Sequence, residues 1–318
     1  MDETYNWSEI KIDYPDISLL LGNGFSLMFD QKFDYNSLYD KSKSSFSEEL
    51  NLVFEEFETK NFEKILRYLE LTKKVNRISK IEFSKIDKMI IELKEGKWKS
   101  IFESHPKPNE VNKELLISIT RKIRFFSKIF TTNYDLLLYY MIMYLSNTFG
   151  DMFSEKHEIP HHLKFIEDDD KREKYVYYLH GCLFLMEHLD STSKITKDKS
   201  DNDLLDRIKI EFDKPFSVSV FVTEGNSERK LKSIYSNNYL KYCFKSFEND
   251  PNETILIYGH SLSEEDNHIV DVLDNNYETC IICLYFSNRK EEQRLKKYYS
   301  SKFNNANLIF VDSKTVFF

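Results

Sequence analysis

Four short blocks carry residue types that could do chemistry: LLLGNGFS (Leu19 to Ser26), FTTNYD (Phe130 to Asp135), YYLHG (Tyr177 to Gly181) and IYGHSL (Ile257 to Leu262). Each continues an apolar run that reads as a β-strand. In an open parallel sheet a ligand lies outside the carboxyl ends of the strands, so small and polar residues recurring there trace the rim of one crevice. Gly22 and Gly24 would let backbone amides approach a pyrophosphate above a following helix. Leu27 stands where a G-x-G-x-x-G fingerprint has its last glycine, so a purely structural strand–glycine–helix turn is the competing reading.

The other blocks supply polar groups. Asn133, between a strand and a helix, could hold a ribose hydroxyl or orient a water, while Asp135 could equally cap the helix that follows. His180 ends a strand, and Gly181 after it permits close approach by another group. Histidine titrates near neutrality, which makes His180 the natural general base at a crevice rim. Ser261 or Ser263 could bind phosphate or ribose, and Asp266 could anchor a ribose or complement a helix start. His157, His161 and His162 lack a carboxylate or cysteine at ligand spacing and read as a solvated loop.

The elements that must position these groups follow from periodicity. A stretch from about Ser37 to Ser127 is helical with almost no β signal. In NFEKILRYLEL, Phe62, Ile65, Leu66 and Leu69 form one apolar stripe, and the prolines of HPKPNE (His105 to Glu110) break the helices. After Lys128 the pattern becomes strand, crossover, strand, with an acidic EDDDKREK loop before YVYYLHGCLFLM. The last third alternates VSVFVT, a helix over Ser227 to Phe247, TILIYG, a helix over Glu264 to Tyr277, TCIICLYF, a helix over Arg289 to Tyr299, and NLIFV. Such alternation marks βαβ units. The expected fold is α/β: a Rossmann-like doubly wound parallel sheet over 1–36 and 128–318, with an inserted α-helical lobe over 37–127.

Composition agrees with a packed chain of 318 residues: 26 Phe and 20 Tyr stand against only 7 Gly and 6 Pro, which argues against disorder. With 45 basic and 53 acidic residues the net charge is -8, so neither nucleic acid nor an anionic membrane is an expected partner. No run matches a membrane helix, and the start MDETYNWSEIK lacks a secretory signal's basic and apolar regions, so the expected location is the cytoplasm. Cys280 and Cys283 form a C-x-x-C inside a β-branched run; with Cys182 and Cys243 as the only other cysteines there is no second pair for zinc, and buried thiols are expected.

GNGFS after the first strand, TTNYD after a helical insertion, LHG, and YGHSL with SEED behind it, in that order, resemble the sirtuin-like domains of bacterial anti-phage defence proteins, over about Ser18 to Ile282. The resemblance implies a Rossmann-type NAD-binding domain beside a helical lobe, with NAD as a substrate hydrolysed to nicotinamide and ADP-ribose. It further implies an effector that empties the NAD pool of an infected cell. Gly22, Asn23, Gly24 and Ser26 match the family's phosphate-side motif. Asn133 and Asp135 match its asparagine–aspartate pair, the asparagine being catalytic, with Thr132 beside them on the cofactor side. His180 matches the catalytic histidine, and Gly259, Ser261 and Asp266 match the late ribose-binding segment. The chain departs from protein-deacylating sirtuins in lacking the zinc cysteine pairs and in carrying Asn23 inside the glycine motif. No metal is therefore expected. A deacylase or ADP-ribosyltransferase, and a non-catalytic NAD or ADP-ribose sensor, remain the alternatives. Because an ungated NAD hydrolase would be toxic to its host, a homo-oligomer or a separately encoded activating protein is expected as partner.

Overall fold

Long apolar runs place the central strands. The computed structural model describes residues 3–33, 35–145, 148–167, 172–188, 191–197, 203–212, 214, 218–222 and 226–318. In chain order the strands are β1 (Thr4–Tyr5), β2 (Ser18–Leu21), β3 (Lys128–Thr131), β4 (Phe149–Gly150), β5 (Phe153–Lys156), β6 (His162–Phe165), β7 (Lys174–Tyr178), β8 (Gly181–His188), β9 (Ser191–Ile195), β10 (Val218–Phe221), β11 (Thr254–Tyr258), β12 (Thr279–Leu284) and β13 (Asn307–Asp312). Eight of them form one sheet in the order β1-β13-β12-β11-β2-β3-β7-β4, and its pairs are parallel. Helices flank this sheet, so both faces are covered, and β2 and β12 are buried along their whole lengths. The fold is thus the expected Rossmann-like α/β class.

From β2 the chain proceeds to β3 and β7 on one side, then returns through β11, β12 and β13 on the other. The order reverses between β2 and β11, and a crevice opens at such a point because the loops leaving the two strands diverge. Between β2 and β3 the described elements are helical, with Tyr35–Ser42, Glu48–Glu56, Phe62–Ile78, Ser84–Ser104 and Lys113–Ile123 as the longer helices. Phe62, Ile65, Leu66 and Leu69 are buried together as their spacing predicts. Lys113–Ile123 packs on Leu137–Tyr144 and Lys314–Phe317, beside the parallel sheet. Among the described residues no helix is long and apolar enough to cross a membrane.

Several elements differ from the sequence expectation. A second sheet, in the order β10-β8-β9-β6-β5, is antiparallel in its pairings. VSVFVT, expected among the βαβ strands, supplies β10 of this sheet and pairs with β8. The helix expected over Ser227 to Phe247 is two, Ser227–Ser236 and Asn238–Glu248. Asn237 separates them: its backbone is extended and its side chain accepts the Leu240 N–H at 3.0 Å, starting a new helix. His162, expected in a solvated loop, is buried in β6, with Nδ1 2.6 Å from Ser193 Oγ and Nε2 3.3 Å from Glu211. Half of the EDDDKREK segment expected as a loop, 168–171, lies outside the described residues. Cys280 and Cys283 are buried in β12.

The switch from one sheet to the other occurs at Gly181, whose φ of +77° is a conformation that L side chains rarely adopt. A Cβ there would also fall on the carbonyl oxygen of Val220 in β10. Gly181→Ala is therefore expected to lower unfolding stability by about 2–4 kcal/mol, combining left-handed strain with overpacking. Urea unfolding of the folded variant measures this, and a loss below 1 kcal/mol would contradict it.

Candidate active site

Two glycine turns meet at the reversal point. The Gly22 N–H donates to Tyr258 O at 3.0 Å and the Gly24 N–H to Gly259 O at 2.8 Å. A Cβ on Gly22 would lie 2.5 Å from His260 Cα, and one on Gly24 2.7 Å from Gly259 Cα. Gly259 itself has a φ of +69°, and a Cβ there would lie 2.5 Å from Phe25 N. The glycines thus let the turns after β2 and β11 touch backbone to backbone. The sequence reading had the Gly22 and Gly24 amides approaching a pyrophosphate, but in the structure both are engaged within the protein.

Behind that contact lies a chain of buried polar groups. Asn133 Nδ2 donates to Gly22 O and to Ser26 Oγ, each at 3.0 Å, so the side chain after β3 is tied to the turn after β2. Ser26 Oγ donates in turn to Asp135 Oδ2. Asp135 Oδ1 accepts the Leu137 N–H at 2.8 Å, which is the helix-start role anticipated for it. The neighbouring Leu136 N–H donates to His105 Nε2 at 2.7 Å, while His105 Nδ1 lies 2.8 Å from Pro106 O. These partners fix His105 as the neutral Nδ1–H tautomer. Burial lowers its pKa, against the raising effect of Asp135.

A second cluster forms the other wall. His180, 2% exposed, places Nε2 2.9 Å from Nε2 of His268, and Ser227 Oγ lies 3.1 Å from His268 Nδ1. Lys230, 1% exposed, donates from Nζ to Asp266 Oδ1 at 2.8 Å, and His260 Nε2 stands 3.9 Å from Asp266 Oδ2. Burial drives the His180 pKa well below that of a free imidazole, with Asp266 opposing. Burial acts to raise Asp266, but Lys230 and the neighbouring histidines outweigh it and hold the carboxyl well below the usual carboxylate range. Since His180 is neutral at pH 7, the Lys230 ammonium is the partner that keeps Asp266 ionised. His180, Asp266 and His268 bring ligand atoms within 4.8 Å of one another. The cation beside Asp266 is already Lys230, and the two imidazoles bond each other, so the cluster as folded is a protein ion pair plus a histidine dyad.

Both clusters open on one cavity of about 380 Å³, a size suited to a small-molecule ligand. Asn23, Gly24, Thr132, Asn133, Asp135, His180, Gly259, Ser261 and Asp266 line it. Gly22 and Ser26, expected on the phosphate side, stand behind the wall instead, Ser26 being fully buried beneath Asn133. Asn23 is tethered through Nδ2 to Phe33 O at 3.2 Å. Apolar rings and side chains, among them Phe33, Leu284, Tyr285 and Tyr299, complete the lining. Sequence reasoning missed Lys230, His268, Ser227 and His105 as site residues. Their only signal was histidine and lysine inside helix-forming or proline-flanked segments, which resembles ordinary surface composition.

Residues 19–316 match a family described as a domain of unknown function, DUF4917. The chain belongs to the DUF4917 family. No curated protein matches it. The match spans both glycine turns, both polar clusters and the helices between them, so the whole cavity of this DUF4917 chain lies inside the family's domain.

The buried neutral histidines give the DUF4917 domain a defined acid response. His180 and His105 have folded pKa values below their unfolded value of about 6.5, so below that pH the unfolded chain binds more protons and stability rises with pH. Their contribution is fully present above about pH 6.5 and is lost as pH falls towards the folded pKa values, at up to about 1.4 kcal/mol per pH unit for each histidine. Urea unfolding between pH 7.5 and 5.5 is expected to show this decline, and His180→Gln to reduce its slope by about one proton. An unchanged slope in that variant would show that His180 does not titrate this way.

Proposed function

We propose that the protein is a sirtuin-like NAD+ glycohydrolase, converting NAD and water to nicotinamide and ADP-ribose. The observation that carries this reading is the convergence of Asn133, Asp135, His180 and Asp266 on one cavity at the reversal point of a parallel sheet. An elongated dinucleotide suits a crevice shared by the ends of β2, β3, β7 and β11. The pyrophosphate would lie over the turn after β2, where Asn23 and Thr132 face the cavity beside Ser261 from the turn after β11. The nicotinamide ribose would lie between Asn133 and His180.

The chemistry asks little of a strong acid. The bond from C1′ to the nicotinamide nitrogen breaks with its electron pair going to nitrogen, which neutralises the cationic ring, while an oxocarbenium ion develops on the ribose. Catalysis then rests on orientation and on charge placed against that ion. The ionised Asp266 places a carboxylate in the cavity wall, and Asn133, its amide nitrogen held by Gly22 and Ser26, has a fixed orientation for the ribose or the attacking water. Water adds to C1′ and gives up a proton, for which the neutral His180 is the base. Asn133→Ala would lose orientation and His180→Ala the base.

The wider role follows from the product balance. An enzyme that consumes NAD without regenerating it depletes the pool, which fits an anti-phage effector held inactive until assembly or an activating partner releases it. Purified protein at low and high concentration, incubated with NAD and resolved by chromatography, is expected to release nicotinamide and ADP-ribose in equal amounts. His180→Ala and Asn133→Ala, shown to be folded, are expected to be slower by on the order of 10²-fold or more. Parent-like rates in both variants would overturn the assignment. ADP-ribose transferred to an acylated peptide would make the enzyme a transferase, and bound but unchanged NAD in each assembly state would make it a sensor.

A further inference from the structure

His180 is engaged through Nε2, by Nε2 of His268, so the nitrogen left for a reaction in the cavity is Nδ1. Among the described residues no hydrogen bond is made to that atom. An imidazole with one nitrogen free to take a proton must carry its own proton on the other. For His180 this requires Nε2–H donating to His268, which must then accept at Nε2 and hold its proton on Nδ1. That Nδ1 faces Ser227 Oγ at 3.1 Å, and the same oxygen accepts the His268 main-chain N–H at 2.7 Å. A hydroxyl oxygen has two acceptor sites, so both N–H groups can be accommodated.

From this chain of contacts we infer that His268, anchored by Ser227, is a positioning residue that fixes His180 as the Nε2–H tautomer and leaves Nδ1 as the base. The inference rests on the NAD-hydrolase reading, in which His180 Nδ1 is the atom that takes the proton. His268 takes the place that a carboxylate occupies in many histidine-based sites: it orients the ring through the nitrogen not used in chemistry. When Nδ1 takes the proton released by water, the resulting imidazolium keeps its Nε2–H directed at the His268 lone pair. The dyad is held by its surroundings. The rings lie 5.2 Å apart at 29°, Phe244 packs on His268 at 5.9 Å, and His268, in the first turn of Asn267–Asn276, donates its main-chain N–H to Ser227, the first residue of Ser227–Ser236.

Among the described residues the ionisable groups beside the dyad are Lys230, three residues after Ser227, Asp266, two residues before His268, and His260, whose Nε2 stands 3.9 Å from Asp266 Oδ2. Lys230 and Asp266 neutralise each other, so the dyad sits next to an ion pair with no net charge. A carboxylate in the position of His268 would add a second buried anion beside Asp266. A neutral imidazole avoids it, which gives a physical reason for histidine here.

The test reads the tautomer directly. In protein labelled with ¹⁵N-histidine, long-range ¹H–¹⁵N correlation is expected to show His180 with its proton on Nε2 and an unprotonated Nδ1. His268→Phe keeps an aromatic ring but removes the acceptor, and is expected to lose this preference. His268→Gln, whose amide oxygen can accept from Nε2–H, is expected to retain it. Ser227→Ala, which frees His268 to adopt the other tautomer, is expected to reverse it and covers the case in which His268→Phe fails to fold. In NAD hydrolysis, His268→Phe is expected to lower kcat by on the order of 10²-fold with KM little changed, and His268→Gln to recover most of it. A His180 proton on Nδ1 in the parent, or the parent's Nε2–H tautomer retained in both His268→Phe and Ser227→Ala, would overturn the inference. If the parent releases no nicotinamide, the hydrolase reading fails while the nitrogen spectra still decide the role of His268.

Discussion

The structure depends on one close approach, the backbone contact between the turn that leaves β2 and the turn that leaves β11. At the reversal point of a parallel sheet two adjacent chains leave in different directions and would ordinarily be separated by side chains. Here glycine on both sides removes them, and the amides of Gly22 and Gly24 bond directly to Tyr258 and Gly259. One polar wall of the cavity is referenced to this junction. Asn133 hangs from Gly22 O, Ser26 and Asp135 continue from Asn133, and His260 follows Gly259.

A second constraint follows from burial. Polar groups withdrawn from water must find partners or lose their charge. Asp266 keeps its charge because Lys230 is buried with it, whereas His180 and His105 lose theirs. The two walls therefore differ in kind: a histidine dyad beside an ion pair on one side, and an amide–hydroxyl–carboxylate chain on the other. The second sheet participates as well. Val222 N–H donates to His180 O and Leu183 N–H to Tyr134 O, both at 2.9 Å, so β8 and β10 hold the ends of β7 and β3 in place.

Much of this was legible in the sequence. The strands β2, β3, β11, β12 and β13 are runs of apolar or β-branched residues, and burial on both faces demands such runs. The four blocks at strand ends each contributed residues that share the cavity, Asn23, Asn133, His180 and Gly259 among them, because a parallel sheet delivers its strand ends to one edge. The second sheet was harder to read, since segments such as STSKI and FSEK carry too few apolar residues to state a partner. Lys230 was hidden for a related reason: in SERKLKSIYS it stands between Arg229 and Lys232, and only the three-dimensional packing buries one lysine while exposing its neighbours. The glycine turn stands at the end of β2 where the spacing puts it, but spacing alone does not distinguish an amide aimed at a ligand from one aimed at the next turn.

The central claim is that this cavity holds NAD with its scissile bond between the two walls. A crystal structure of the His180→Ala protein grown with NAD tests it most directly. The account predicts an intact dinucleotide in the cavity, with the nicotinamide ribose against Asn133 and the vacated position of residue 180, and the pyrophosphate over the turn after β2. NAD bound elsewhere on the protein, or a cavity left without it at saturating concentration, would contradict the account.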